Sequence, residues 1–138
     1  MPRHDLALAP DIAEIPRLIE WVASCCGAAG VTGDLALKLA LVLEEAVMNV
    51  ISHAFAGRRP PHTIRVSLEV GTAIIAAEIT DNGRPFDPST APPPDLSAPL
   101  EQRDPGGLGI HLIRTMMDRV DYRRAAGQNI LWLEKARE

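Results

Sequence analysis

The chain is poor in several residue types, and each shortage excludes something. Aromatic residues make up 4% of its 138 residues, so leucine, isoleucine, valine and alanine must build the core. Lysine occurs only as Lys38 and Lys135, and arginine supplies the other basic groups. The two cysteines, Cys25 and Cys26, are adjacent; neighbours rarely pair, and there is no third, so a disulfide framework is excluded. No apolar run is long enough to span a bilayer, and no secretory hydrophobic segment is present. The net charge of −4 argues against a nucleic-acid surface, which needs clustered lysine and arginine. These absences predict a soluble, cytoplasmic protein with neither a membrane nor a nucleic acid as partner.

What the chain does have is periodicity. Residues 4–9, HDLALA, alternate and predict a short strand. Asp11 is placed to cap a helix with apolar positions at Ile12, Ile15, Leu18, Ile19 and Val22 that ends near Gly27. Pro16 falls near its first turn, where proline is tolerated. Trp21 on this helix suits either packing on a sheet or a face for a partner, a second copy of the chain included. A second helix opens at Thr32 or Gly33 and runs to Gly57, before Pro60 and Pro61. Its apolar residues at 35, 39, 42, 43, 46, 47, 50, 51 and 54 form a wide stripe, so it packs deeply.

HTIRVSLEV and TAIIAAEIT read as an antiparallel hairpin around Gly71-Thr72. Seven of the twelve prolines lie between Pro85 and Pro105, which leaves no regular element over 82–105. A loop this long in a small domain is a lid, a binding loop or disordered. A helix over about 107–118 and a closing hairpin, RVDYRRAA and NILWLEKA across Gly127, complete the chain. The order β-α-α-β-β-lid-α-β-β predicts an α+β fold: a two-layer α/β sandwich whose mostly antiparallel (mixed) sheet carries helices on one face. The length fits one domain, 1–138, with the lid at about 84–106.

Three stretches carry chemistry. In EEAVMN, Glu45 and Asn49 are four apart and share a helix face; Glu44 lies off that face. A carboxamide there suits Mg²⁺, which takes oxygen ligands and keeps several waters, and a carboxylate beside it suits a base. The plain alternative is a solvated helix face. In ITDNGRPF, Asn82-Gly83 is a hairpin-turn signal, but Pro85 and Pro88 forbid a returning strand, so the turn leads off the sheet. Asp81 at the strand end could accept a hydrogen bond from an exocyclic amine such as that of adenine. In RDPGGLGIHLIRTMMDRV, Gly106, Gly107 and Gly109 crowd a helix start, where unpaired N–H groups bind anions. A hinge is the alternative there. His53 and His111 lie inside these stretches and read as structural.

Together, helix E-x-x-x-N, strand-end D-x-G-x-x-F and loop–helix G-G-x-G-x-x-L resemble the N, G1 and G2 boxes of the GHKL ATPase superfamily, which has the Bergerat fold. The likeness spans roughly residues 33–134. EEAVMNVISHAF, DNGRPFDP and GGLGIHLIRTMMDRVDY are most similar to the small bacterial anti-sigma-factor serine/threonine kinases. The resemblance implies ATP and Mg²⁺, with Glu45 as general base, Asn49 as metal ligand and Asp81 as adenine reader. It implies that Gly83 shapes the adenine pocket and that Gly106, Gly107 and Gly109 flank the phosphates. Arg103 would touch the terminal phosphate. Many superfamily members carry a threonine near adenine in the late strand; NILWLEK offers Trp132 in that region. The implied partners are a small STAS-like anti-sigma antagonist, phosphorylated on serine or threonine, and a sigma factor. A nucleotide-dependent binding module without kinase activity is the alternative. A histidine kinase is disfavoured, because the segment before the catalytic stretch, Asp11–Gly27, holds no acceptor histidine.

Overall fold

The structure, a computed structural model, describes residues 3–88 and 105–137. Strand β1 (Arg3–Leu8) is followed by a 3₁₀ turn (Ile12–Glu14), helix α1 (Ile15–Ala28) and helix α2 (Gly33–Asn49), which continues as a π-helical turn (Val50–Ala54). Then come β2 (Ile64–Val70), β3 (Ile74–Asp81), α3 (Pro105–Met116), β4 (Arg119–Ala125) and β5 (Gln128–Ala136). The strands form one sheet in the order β1-β2-β3-β5-β4. Every pairing in it is antiparallel, which is the expected α+β architecture without the mixed pairing. No described helix is long and apolar enough to cross a membrane.

Side chains alternate across a strand, and this sorts the sheet into two faces. Ile64, Val66, Leu68 and Val70 of β2, Ile75, Ala77 and Ile79 of β3, and Leu131 and Leu133 of β5 are buried together. Leu18 and Val22 of α1, Leu39, Val42, Leu43 and Val47 of α2, and Ile113 of α3 join them, so the core lies between the helices and one sheet face. The other face carries Arg65, Glu78, Asp121, Arg123 and Trp132, each of opposite parity to the core residues of its strand.

The helices follow the local signals, with three adjustments. Asp11 caps the 3₁₀ turn, its carboxylate accepting from Ala13 N at 2.9 Å, and α1 begins only at Ile15. Ile12 and Ile19 are exposed, so the buried stripe of α1 is narrower than the apolar spacing implies, and Trp21 packs partly buried against the core. The α-helical pattern of α2 stops at Asn49; beyond it Phe55 N donates to Val50 O, five residues back, in the wider π spacing. Helix α3 is described from Pro105 on, and Gly106, Gly107 and Gly109 are inside it rather than ahead of it.

Candidate functional site

Asp81 is the last residue of β3 and continues the inward row Ile75, Ala77, Ile79. It is 3% exposed, a carboxylate at the end of a hydrophobic row. Its Oδ1 accepts from Gly83 N at 2.8 Å and from Asn129 Nδ2 at 2.9 Å. Burial pushes its carboxyl above the ordinary value, against the pull of those two hydrogen bonds and of the Arg124 guanidinium.

Asn129 stands opposite Asp81 in the β3–β5 register and is equally buried. Beyond its bond to Asp81, its Nδ2 donates to Arg84 O at 2.8 Å. Its Oδ1 accepts from Phe86 N at 3.2 Å, from Tyr122 Oη at 2.5 Å and from Arg124 Nη1 at 3.1 Å. None of the sequence motifs contains this residue. The available signal was parity: an asparagine in line with Leu131 and Leu133, in a strand, is a poor β former in a buried row. By the same parity Trp132 lies on the opposite face, where it donates through Nε1 to Glu134 at 2.9 Å.

The end of α2 meets this strand edge. Arg84 N donates to Ala54 O at 2.8 Å and Arg84 Nε to His53 O at 3.0 Å, which satisfies carbonyls that a helix end leaves unpaired. The approach leaves no room at Gly83: a Cβ there would lie 2.5 Å from Ala54 O. Asn82 ties the end of β3 to the segment entering β2, donating to Pro61 O and accepting from Thr63 N. The His53 ring stacks on Phe86 with centroids 5.4 Å apart.

Asn49, Asp81 and Asn129 converge on one pocket, with Ala46, Val50, Ile79, Phe86, Pro88, Tyr122 and Leu131 around them. It encloses about 20 Å³, room for about one water. Asn49 is 4% exposed, and its Nδ2 is buried with no hydrogen-bond partner among the described residues. A buried amide left unpaired costs about 1–3 kcal/mol, so a ligand able to pair it is favoured here. Larger depressions of about 580 and 640 Å³ lie on the open face of the sheet, but they bring together no comparable set of buried polar groups.

Of the other sequence candidates, Glu45 sits one turn before Asn49 and is half-buried. Burial, then the charge of Glu44, holds its carboxyl above the ordinary value. It is absent from the described lining of the pocket. Arg103 and most of the 84–106 loop, residues 89–104, lie outside the described residues.

The chain is 36% identical over 99 residues to the serine/threonine-protein kinase BtrW of Bordetella bronchiseptica, covering 72% of this chain and 69% of that one. It is 29% identical over 129 residues to the serine-protein kinase RsbW of Bacillus cereus, covering 86% and 79%. RsbW of Listeria monocytogenes is 31% identical over 120 residues, covering 83% and 74%. Among solved structures, the histidine kinase domain of a blue-light activated histidine kinase from Erythrobacter litoralis superposes with a TM-score of 0.56 at 14% identity. That match covers 90% of this chain and 63% of the other, and it speaks for the fold. The model of the histidine kinase-like ATPase domain matches residues 8–135, and with relatives at this identity the chain belongs to that family.

Proposed function

We propose that this chain binds Mg-ATP and transfers its terminal phosphoryl group to a serine or threonine of a partner protein. The observation that carries the reading is the buried amide nitrogen of Asn49, without a hydrogen-bond partner among the described residues, facing the same pocket as the buried carboxylate of Asp81. Asp81 accepts the exocyclic amine of adenine through Oδ2, since Oδ1 is already engaged by Gly83 and Asn129. Asn49 offers an oxygen to a hard cation and an N–H to a phosphate oxygen. Mg²⁺, when bound, neutralises phosphate charge. Gly83 lets the helix end approach the base pocket, and the first turns of α3, with Gly106, Gly107 and Gly109, flank the phosphates. Arg103 contacts the terminal phosphate. The pocket is too narrow for a ring as it stands, so entry moves its wall at Phe86 and Pro88 outward.

Glu45 takes the proton of the attacking hydroxyl; burial and the Glu44 charge raise its carboxyl above the ordinary value, the direction that makes it a stronger base. Phosphoryl transfer is mostly positioning and charge neutralisation, so these few groups suffice. The partner we propose is a small STAS-like anti-sigma antagonist, with sequestration of a sigma factor as the companion role; the kinship with RsbW and BtrW supports this. The second reading, a nucleotide-dependent binding module without transfer, draws on the position of Glu45 outside the described pocket lining.

Labelled ATP and candidate partner proteins separate the two. Glu45→Ala is expected to lower transfer by about 10²–10⁴-fold, the share of a general base, with Mg-ATP binding kept. Transfer at the wild-type rate removes Glu45 as the base, and no transfer by the wild type to any partner it binds favours the second reading.

A further inference from the structure

We infer that Asn129 is a positioning residue of the base site: it orients the carboxylate of Asp81 and ties it to the root of the loop that follows β3. The inference rests on Asp81 as the adenine acceptor and extends that reading to a residue outside the three motifs.

A primary amide has two donor hydrogens and one acceptor oxygen. Asn129 uses both hydrogens, on Asp81 Oδ1 and Arg84 O, and its oxygen takes Phe86 N, Tyr122 Oη and Arg124 Nη1. The first bond, with Gly83 N, occupies Oδ1 of Asp81 and leaves Oδ2 for the ligand. The bonds to Arg84 and Phe86 hold the first residues after Gly83, where the chain leaves the sheet. Arg124 closes the ring by donating to Gly83 O at 2.7 Å. Phe86 is also the pocket wall that a ring must displace. Ring entry and the orientation of the base-reading carboxylate are thus coupled through one side chain. A leucine of similar volume would fill the space and make none of these five bonds. The ionisable groups facing the amide are Asp81 from β3 and Tyr122 and Arg124 from β4; α2 presents the neutral Asn49.

The test compares Mg-ATP with Mg-ITP, in which a carbonyl replaces the amine, by calorimetry. Wild type is expected to favour ATP by about tenfold or more, the worth of a hydrogen bond to a charged group. Asn129→Asp keeps the shape and the acceptor bonds but loses both donors and sets a second carboxyl against Asp81. At about pH 8 it is expected to bind Mg-ATP about tenfold or more weakly and to lose the preference over ITP. Should Asn129→Asp not fold, Asn129→Thr and Asn129→Val are near-isosteric and differ in one donor. The threonine variant is expected to keep the preference and the valine variant to lose it. If wild type shows no preference for ATP, the adenine reading of Asp81 fails. If wild type shows it, the positioning role is overturned by either of two results: Asn129→Asp keeps the preference near pH 8, or the threonine and valine variants behave alike.

Discussion

A charge at the end of a hydrophobic row weakens the fold that holds it, and Asp81 is such a charge. Burial lifts its pKa above that of the unfolded chain, so the folded state holds the proton more tightly. The stability this lends is fully present below the ordinary carboxylate value of 3.8 and is lost as pH rises through the raised one. When ionised, the group is therefore a burden on the fold that binding must justify. Asp81→Asn retains an oxygen for Gly83 N and Asn129 Nδ2 and removes the charge. It is expected to raise the unfolding free energy by about 1 kcal/mol in denaturant titration, as function-relieving substitutions commonly do, and to abolish Mg-ATP binding. A less stable variant, or one that binds as wild type, sinks the assignment. Wild-type affinity should likewise fall on acidification before ordinary surface carboxylates titrate. Asp81 and Asn49 were legible because each sits in a local spacing. Asn129 was not, because its partner lies 48 positions away in sequence and meets it only through strand register.

At the scale of elements, the closing hairpin contains the clearest local conflict. Its two central residues, Ala126 and Gly127, have φ of 52° and 75°. A two-residue hairpin loop with both φ positive matches the twist of the strands, and it prefers Asn-Gly. Alanine in the left-handed region costs roughly 1–2 kcal/mol. Ala126→Asn is expected to stabilise the protein by about 0.5–1 kcal/mol in thermal or denaturant unfolding, with nucleotide affinity unchanged. A neutral or destabilising result shows that the turn is held by something other than its own preference. The hairpin itself was readable from Gly127 between two β-rich runs, and so was α2 from its stripe. The π turn after Asn49 was not, since apolar spacing at 50, 51 and 54 suits either helix type. Its end is held by a distant segment: Arg84 donates to the carbonyls of His53 and Ala54.

Across the whole molecule, the candidate site is the seam where the end of α2, the ends of β3 and β5, and Tyr122 of β4 meet. A ligand in that seam touches segments that unfolding separates, so it stabilises the folded state as a unit. Mg-ATP at about 100 times its Kd is expected to add about 2.7 kcal/mol, read as a rise in melting temperature. No rise at millimolar Mg-ATP would count against both nucleotide readings. The architecture was legible at this scale because alternating strands and an amphipathic helix each leave one face to bury, and few arrangements bury them all. The all-antiparallel pairing follows from where β5 returns, between β3 and β4.

The amino-acid sequence by itself determined the elements, their order, the helix-on-sheet layering and the family, because periodicity and short motifs are local properties. It also singled out Glu45, Asn49, Asp81 and the glycines as the groups able to do chemistry. Only the tertiary structure decided which of them share a pocket. It set Asn49 beside Asp81, left Glu45 a turn away, put Trp132 on the far face and brought Asn129 into the centre. The reason is register: a side chain's face follows from strand parity, but its neighbour follows from which residue of another strand lies across from it, and that is set by packing the whole sheet.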